Sequence, residues 1–257
     1  MEEGVGRKAA GRRLRDPCMP PTRLRPQLKQ HYDEYYDGAS AWRTLSAAGK
    51  VENIVRLCAT IPHRTVLEVG AGEGAILQRL AELGFGEHLY AVEISASALA
   101  AIQGRAIPNL VEARAFDGYA LPYADRQFDL VILSHVLEHV EHPRQLLYEL
   151  ARVADYVFIE VPLEDTLRLP VNYVPNAVGH INLYSARTVR HLLQTCGLEV
   201  VNQIVTNLSL DVHTYVWGQR GRLRYVVREA ALRLAPGLAP RLWTYHSALL
   251  CRSPHKE

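Results

Sequence analysis

The 257-residue sequence has few cysteines, little net charge and no long apolar segment. Its four cysteines, Cys18, Cys58, Cys196 and Cys251, are widely scattered, which argues against a disulfide framework or a paired-cysteine metal site. Cys58 and Cys196 fall in apolar helical patterns, so we expect them in the core. The net charge of +2 provides no strong field for nucleic acid. Without a bilayer-spanning segment or a signal-peptide pattern, the sequence favours a cytoplasmic protein.

The composition divides the chain into a tail and one large domain. Residues 1–26 are rich in Arg, Gly and Pro and lack a periodic apolar face, so we predict a disordered basic tail, with Met19 as a candidate for the true start. Residues 27–257 are predicted to form a single domain with a substantial core. Within it, residues 27–60 have the pattern of N-terminal lid helices, and residues 207–240 form a helical insertion.

Strand-like and helix-like segments alternate through the rest of the domain. The predicted strands are residues 65–69, 89–94, 110–115, 128–133, 155–160, 198–206 and 243–251. The predicted helices between them are residues 75–83, 96–102, 143–153 and 186–196. This alternation is typical of an α/β, Rossmann-like fold, in which a seven-stranded, mostly parallel sheet has helices on both faces.

The most informative stretch joins the first predicted strand to the helix that follows it. Glu68 lies near the end of this strand, and Gly70, Gly72 and Gly74 follow at alternate positions. Glycine at such positions lets a ligand lie against the backbone. Glu93 lies at the tip of the second strand, where a carboxylate is well placed to bind both hydroxyls of a ribose. Together, these features predict a nucleoside-containing cofactor.

The same region favours S-adenosylmethionine over NAD. The glycines also fit the loose dinucleotide fingerprint, but that pattern alone is weak evidence. Glu68 lies two residues before the first glycine, where it can meet the amino end of a methionine, and Gly74 extends the loop to Gly-x-Gly-x-Gly. Phe-Asp-Gly at residues 116–118 and the apolar segment at 128–139 follow in the order expected further along such a sheet.

With these motifs, the chain resembles class I S-adenosylmethionine-dependent methyltransferases, and most closely the small-molecule branch that includes the ubiquinone-biosynthesis O-methyltransferases. The resemblance covers roughly residues 32–198 and is strongest over residues 66–143. It implies an antiparallel last strand, S-adenosylmethionine as cofactor and a small-molecule acceptor, which we expect to be methylated at oxygen. The expected cofactor-binding residues are Glu68, Gly70, Ala71, Gly72, Gly74, Glu93, Ile94, Asp117, Gly118 and Ser134.

An oxygen acceptor must lose its proton, so the site should contain a base. His135 and His139, which follow the fourth strand, are the candidate catalytic residues, because the pKa of histidine is naturally near neutral. Structural roles remain open: His135 could only shape the pocket, Asp117 could be a turn aspartate, and the tyrosines near the N-terminus could dock a terminal helix. The residues expected to border the acceptor, by resemblance, are Tyr32, Tyr36, His180 and Tyr184.

The resemblance also raises the question of a metal. In ubiquinone-type enzymes, the segment that corresponds to Leu-Glu-His-Val can hold a divalent ion, and the matching positions here are Ser134, His135, Glu138 and His139. His135 replaces an acid of that pattern, which leaves fewer hard oxygen ligands for Mg²⁺. We therefore expect no functional metal, with Glu138 and His139 fixing the loop through hydrogen bonds to the backbone.

The helical insertion at residues 207–240 bears on the chemical class of the acceptor. Residues 220–234 form a basic amphipathic pattern with five arginines, which makes an anionic or lipid-linked acceptor one candidate. The same helix could cover a pocket, lie on a membrane surface, form a dimer contact or simply be a solvated cover. Two other functions stay open: a non-catalytic S-adenosylmethionine-binding or regulatory protein, and an RNA methyltransferase, for which no basic domain is evident.

Overall fold

Seven strands form one sheet in the computed structural model, which describes residues 41–173 and 179–254. The order across the sheet is β3-β2-β1-β4-β5-β7-β6, and β7 runs antiparallel to both of its neighbours while the other pairs are parallel. This confirms the predicted Rossmann-like sheet with an antiparallel last strand. The strands are β1 Thr65–Val69, β2 His88–Glu93, β3 Leu110–Ala115, β4 Phe128–Ser134, β5 Ala154–Pro162, β6 Glu199–Thr206 and β7 His246–Arg252.

The helices begin where the sequence supplies suitable caps. Ser95 accepts a hydrogen bond from the Ala98 N–H, and Ser185 forms a capping box with Thr188. Pro143 occupies the first turn of its helix, where no N–H is needed. The α-helices are α1 Ala41–Cys58, α2 Ala75–Glu82, α3 Ala96–Gly104, α4 Pro143–Val153, α5 Ala186–Thr195, α6 Leu210–Trp217, α7 Gln219–Leu234 and α8 Ala239–Leu242, and a short 3₁₀ helix spans Leu137–His139.

The core lies in two layers, one on each face of the sheet. Alternate residues of β4 supply both: Val131 and Leu133 belong to one apolar cluster, and Leu130 and Ile132 to the other. All four are fully buried, and each such side chain contributes roughly 1.5–3 kcal/mol to folding. The near-continuous apolar run of β4 is therefore what a strand covered on both faces requires.

In the predicted insertion at residues 207–240, the sequence indicated one basic amphipathic helix at residues 220–234. The structure has three helices in this region, α6 to α8. The last strand begins at His246 instead of residue 243, because residues 243–245 form the connection between α8, which ends at Leu242, and the strand. The three described cysteines, Cys58, Cys196 and Cys251, are all buried and free. Within the described residues, no helix is long and apolar enough to cross a bilayer. The predicted tail and the positions of Tyr32 and Tyr36 lie outside the described residues.

The topology places several chain segments at one edge of the sheet. The carboxyl ends of β1, β2, β4 and β5 meet there, because these strands are parallel. The antiparallel β7 starts at the same edge, and its first residue, His246, pairs with Pro162 at the end of β5. Open α/β sheets bind ligands outside the carboxyl ends of their strands, so this edge is where a site is expected.

Candidate active site at the carboxyl edge of the sheet

A cleft of about 480 Å³ lies at this edge, a volume in the range of small-molecule and cofactor sites. The cleft brings together most of the residues that the sequence predicted. Gly74, Asp117 and Tyr184 are not among the residues that line it. The predicted residues that do line it are Glu68, Gly70, Ala71, Gly72, Glu93, Ile94, Gly118, Ser134, His135, His139 and His180.

The glycine turn has the backbone that the sequence pattern predicts. Gly70, Gly72 and Gly74 have φ values of 71°, 54° and 78°, in the left-handed region that side chains disfavour. A Cβ on Gly70 would lie 2.5 Å from Cγ2 of Val136, and one on Gly74 would lie 2.9 Å from Cδ1 of Ile107. Gly74 therefore serves close packing beneath the turn, whereas Gly70 and Gly72 line the cleft.

The carboxylate of Glu93 organises the same turn from below. Its Oε2 accepts a hydrogen bond from the Gly72 N–H at 2.8 Å. Its Oε1 accepts hydrogen bonds from the N–H groups of Ile94 at 2.7 Å and Ser95 at 3.1 Å. Glu93 thus links the tip of β2 to the glycine turn, a structural role that the sequence pattern did not suggest. Its predicted contact with a ribose stays a prediction, compatible with its place in the cleft wall.

Glu68 is a buried carboxylate with an oxygen left without a partner. Only 2% of the residue is exposed, and Oε2 makes no hydrogen bond within the described residues. Burial raises the pKa of Glu68 to about 8, the nearby charge of Glu93 acts in the same direction, and the charge of Lys50 opposes both. An unsatisfied carboxylate oxygen beside a glycine turn suits a cationic group such as the ammonium of a methionine. The residues present therefore fit S-adenosylmethionine.

Asp117 and Tyr184 do not line the cleft. Oδ1 of the exposed Asp117 accepts hydrogen bonds from the N–H groups of Tyr119 and Ala120, so the carboxylate holds a turn. Tyr184 is buried in the core, and its hydroxyl donates to the carbonyl of Leu137 at 3.4 Å. The predicted contact of Asp117 with the cofactor and that of Tyr184 with the acceptor both stay predictions.

The two histidines predicted to be catalytic lie against the cleft in partly buried positions. His135 has a φ of 58°, a conformation that a residue other than glycine seldom adopts. Burial, followed by the charges of Lys50 and His246, lowers the pKa of His135 well below its usual value. Burial also lowers the pKa of His139, against the pull of Glu138. Both imidazoles are therefore neutral at physiological pH, and His135 is a weak base.

A third histidine has the opposite electrostatics. Nδ1 of His180 lies 2.6 Å from Oε2 of Glu164, and the His180 ring packs edge-on against that of His139 with centroids 4.7 Å apart. Burial acts to lower the pKa of His180, but the hydrogen bond to Glu164 and the charges of Glu164 and Glu138 outweigh it and raise the pKa. Of these three histidines, His180 is the one whose basicity is enhanced.

Sequence reasoning missed several residues of the cleft. Glu164 lies just after the carboxyl end of β5, so the rule that ligands bind at strand ends could have found it. His246 lacked any such signal, because it reaches the site only through the antiparallel pairing of β7 with β5. Lys50 comes from α1, where the helical pattern alone gives no reason to select it.

Helix α1 is tied to the glycine turn by charge. Nε of Arg43 lies 3.0 Å from one oxygen of Glu73, and Arg105 lies 2.7 Å from the other. Glu73 has only 8% of its side chain exposed, so this pair of contacts is largely shielded from solvent. Partly buried charge-assisted hydrogen bonds of this kind fix geometry more firmly than surface ion pairs do. Arg43, Glu73 and Lys50 all line the cleft, and α1 forms one of its walls.

Comparison with known proteins gives a consistent result. A family model described as a methyltransferase domain matches residues 23–203, well over half of the chain. The chain is 33% identical over 100 residues to a demethylmenaquinone methyltransferase of Renibacterium salmoninarum, covering 39% of this chain and 40% of that protein. It is 33% identical over 90 residues to a mitochondrial ubiquinone biosynthesis O-methyltransferase of Candida albicans, covering 33% of this chain and 27% of that one. The chain thus spans less than half the length of these curated relatives.

A solved structure shows the likeness of the fold over a larger part of the chain. A crystal structure of an S-adenosylmethionine-dependent methyltransferase from Aquifex aeolicus matches with a TM-score of 0.54 at 16% identity. The match covers 88% of this chain and 98% of that one. At this identity, the likeness concerns the fold alone, and the function has to be argued from the site.

Proposed function

This chain belongs to the methyltransferase-domain family, and we propose that it transfers a methyl group from S-adenosylmethionine to an oxygen atom of a small-molecule acceptor. The observation that carries the choice of oxygen is the pair formed by His180 and Glu164 at the wall of the cleft. A hydroxyl acceptor has to lose a proton as it is methylated, and a histidine backed by a carboxylate is suited to take it. The O-methyltransferase among the relatives supports the same choice.

The contact with Glu164 sets the protonation of the His180 ring. With Nδ1–H donated to the carboxylate of Glu164, the lone pair resides on Nε2, which then serves as the base. The raised pKa of His180 brings its basicity closer to that of the group it must deprotonate. His135 cannot replace it at this task, because burial holds the pKa of His135 well below the usual value.

The opposite wall of the cleft fits the cofactor. When bound, S-adenosylmethionine supplies a methyl group on a positively charged sulfur, which makes the methyl carbon electrophilic. Glu68 would meet the ammonium of the methionine with its unpartnered oxygen, and Glu93 would meet the ribose next to the turn that it already organises. The protein's main task is then alignment, since both reactants lie in one cleft and its walls are tied to the sheet.

The experiment compares His180→Gln with His191→Gln, a matched control on the exposed face of α5. Purified protein is assayed with S-adenosylmethionine and a catechol probe, 3,4-dihydroxybenzoate, alongside the menaquinone and ubiquinone precursors that the relatives' names suggest. We expect His180→Gln to lower kcat by about 10²–10⁴-fold with cofactor affinity unchanged, and the control to behave as wild type. A product that carries the new methyl group on carbon or nitrogen, or full activity in His180→Gln, would contradict the proposal.

For the acceptor's class, we propose a lipid-linked or anionic molecule, on the basis of helix α7. One face of α7 carries four exposed apolar side chains. Val226 and Val227 follow Leu223 by three and four residues, and Leu234 follows Val227 by seven, so all four lie on the same face of the helix. Leu234 is 86% exposed. An exposed apolar face of this kind is typical of a surface that contacts another molecule or a membrane.

Exposed arginines border this apolar face. By helical periodicity, Arg220 and Arg224 lie along one side of it, and Arg222 and Arg233 along the other. This arrangement is typical of a helix that rests on an anionic membrane surface, with apolar side chains inserted and arginines reaching the headgroups. None of the residues of α7 lines the cleft, so the helix is placed to position the protein on a surface, not to form a wall of the acceptor pocket.

One of the five arginines, Arg228, is not available to a ligand, contrary to the expectation from the sequence. It is 7% exposed, its guanidinium lies 4.8 Å from the ring centre of Tyr245, and it donates a hydrogen bond to the carbonyl of Thr244. The Tyr245 hydroxyl in turn donates to the Arg228 carbonyl at 2.7 Å. Arg228 therefore attaches α7 to the start of β7, and reversing its charge would disturb folding instead of testing ligand binding.

A further inference from the structure

A second group of side chains converges beside the cleft, next to the base proposed above. His135 follows β4, Glu160 lies near the end of β5 and His246 begins β7. Nδ1 of His246 lies 3.3 Å from Oε1 of Glu160, and Nε2 of His135 lies 4.0 Å from the same oxygen. The two imidazole rings meet edge-on with centroids 4.4 Å apart. One nitrogen or oxygen atom from each residue lies within 4.8 Å of the other two.

The carboxylate of Glu160 is held in place by neutral donors. Glu160 is fully buried, Asn53 donates to its Oε1 at 3.0 Å, and Ser134 donates to its Oε2 at 3.3 Å. Asn53 also donates to the hydroxyl of Thr206 at 3.0 Å, so the amide itself is fixed. Such partners orient the carboxylate without supplying a full positive charge. A metal-ligating carboxylate is commonly held by a second layer of hydrogen bonds of this kind.

His135 shows more directly that the group lacks a partner. The Nδ1 side of its ring faces Glu138, at 3.2 Å from Oε1, so Nε2 is turned toward Glu160 and His246. Nε2 is buried and makes no hydrogen bond within the described residues, because 4.0 Å is beyond hydrogen-bond distance. The left-handed backbone of His135, with a φ of 58°, is maintained although it is unfavourable. A buried nitrogen that makes no hydrogen bond and faces two other potential metal ligands indicates a binding partner between the three residues.

We propose that His135, Glu160 and His246 bind a divalent first-row transition-metal ion. Two imidazoles and one carboxylate form a ligand set that suits Zn²⁺, Co²⁺ or Fe²⁺ and leaves coordination positions for water or substrate. Ligands about 2.1 Å from a tetrahedral metal lie about 3.4 Å apart, so the 3.3 Å separation of His246 and Glu160 already fits. Nε2 of His135, now 4.0 Å from the same oxygen of Glu160, has to move about 0.6 Å closer to it.

The electrostatics of the surroundings support a cation here. Glu68, Glu138 and Glu160 are all buried near His135, and among the described residues of this wall Lys50 is the cation whose charge acts on all three.

This set differs from the one that the resemblance to ubiquinone-type enzymes implies, with which it shares only His135. A competing cluster of Glu138, His139 and His180 lies nearby, with its ligand atoms similarly close. In that cluster, Nδ1 of His180 is engaged by Glu164 and Nδ1 of His139 lies 3.3 Å from the carbonyl of Gly179. Those contacts already engage both imidazoles of the competing cluster, whereas Nε2 of His135 makes no hydrogen bond within the described residues. The two carboxylate oxygens of Glu138 make none there either.

The test is Co²⁺ binding to the full chain after treatment with a chelator, followed by visible absorption and titration calorimetry, with Zn²⁺ competition. Wild type should bind one Co²⁺ per chain with the absorption of a nitrogen- and oxygen-ligated site of low coordination number. His246→Gln and His135→Gln should each weaken binding by at least about tenfold, since removing even outer partners of a metal ligand has an effect of this size.

Two controls make the outcome decisive. His191→Gln removes an exposed histidine on α5 and should bind Co²⁺ as wild type does. His180→Gln removes a residue of the competing cluster and should also bind normally.

Circular dichroism establishes that each variant is folded, and the two separate ligand variants guard against the loss of one. The proposal is overturned if folded wild type takes up neither Co²⁺ nor Zn²⁺, or if His180→Gln abolishes binding while His246→Gln retains it. Neither readout depends on methyl transfer, so a failure here is separate from a failure of the proposed function.

Discussion

Binding of S-adenosylmethionine should release a proton from Glu68. This carboxyl is buried and its pKa is raised to about 8, so at pH 7 roughly nine-tenths of the molecules carry it protonated. An ammonium placed against Oε2 would favour the ionised form and lower the pKa toward its ordinary value. At pH 7, binding should therefore release about 0.9 proton per site.

Two measurements follow from this linkage. Calorimetry at pH 7 in buffers of different ionisation enthalpy should give a slope that corresponds to a release of about 0.9 proton in wild type and to none in Glu68→Gln. The affinity of wild type should rise about ninefold between pH 6 and pH 7, because the fraction of ionised Glu68 rises by that factor for a pKa of about 8. Glu68→Gln should bind more weakly, with little dependence on pH over this interval.

The sign for stability is opposite. The pKa of Glu68 is raised in the folded chain, so its contribution to stability is fully present below the ordinary pKa of a glutamate and is lost as pH rises through about 8. Without the cofactor, wild type should therefore lose stability relative to Glu68→Gln over this range, as measured by urea unfolding. If the calorimetric slope of wild type is zero, or equals that of Glu68→Gln, then Glu68 does not meet the ammonium as argued here.

Three further predictions address the turn, the ribose and helix α7. Gly72→Val should abolish cofactor binding but leave circular dichroism largely unchanged. A side chain at a φ of 54° costs about 1–3 kcal/mol and would occupy space at the wall of the cleft. Normal cofactor binding would show that Gly72 only forms a turn. Glu93→Gln should weaken cofactor binding by about ten- to hundredfold in calorimetry, since each hydrogen bond to a charged group contributes about 1.5–3 kcal/mol, and unchanged affinity in a folded variant would rule out the ribose contact. Charge reversal at both Arg220 and Arg222 should weaken binding to anionic phosphatidylserine vesicles by about tenfold or more, with cofactor affinity unchanged, whereas reversal of Arg187 on α5 should not; a wild-type protein that ignores these vesicles at low salt would contradict the membrane role of α7.

The fold could be predicted from the sequence because its signals are local. The apolar run at residues 128–133 gives a strand covered on both faces, and Pro143 and Ser185 mark helix starts that the structure retains. The start of the last strand was wrong because Trp243, Thr244 and Tyr245 are residue types typical of strands, although the strand begins only at His246. The depth of Arg228 could not be predicted either, since burial of a charge depends on Tyr245, a partner distant in the chain.

The candidate site was predictable where one chain segment carries it and not where strands have to be paired first. The glycine turn and Glu68 lie within a few residues of each other, so their pattern reveals them directly. Glu164 and His180 are 16 residues apart in sequence, and no periodic pattern predicts that they meet. His246 reaches Glu160 only because the last strand is inserted antiparallel beside β5.

The different environments of the histidines favour a division of labour within one cleft. Burial, followed by the charges of Lys50 and His246, lowers the pKa of His135 and keeps its ring neutral, which suits a metal ligand or a wall and disfavours a base. Glu164 reverses that outcome for His180, although both side chains are largely buried. If Glu164 is changed to Gln, His180 loses the partner that raises its pKa, so the pH at which activity reaches half its maximum should move down, and the activity lost should be greater above that pH than below it. An unchanged pH profile in a folded Glu164→Gln variant would mean that His180 does not take the acceptor's proton and that the base has to be sought elsewhere in the cleft.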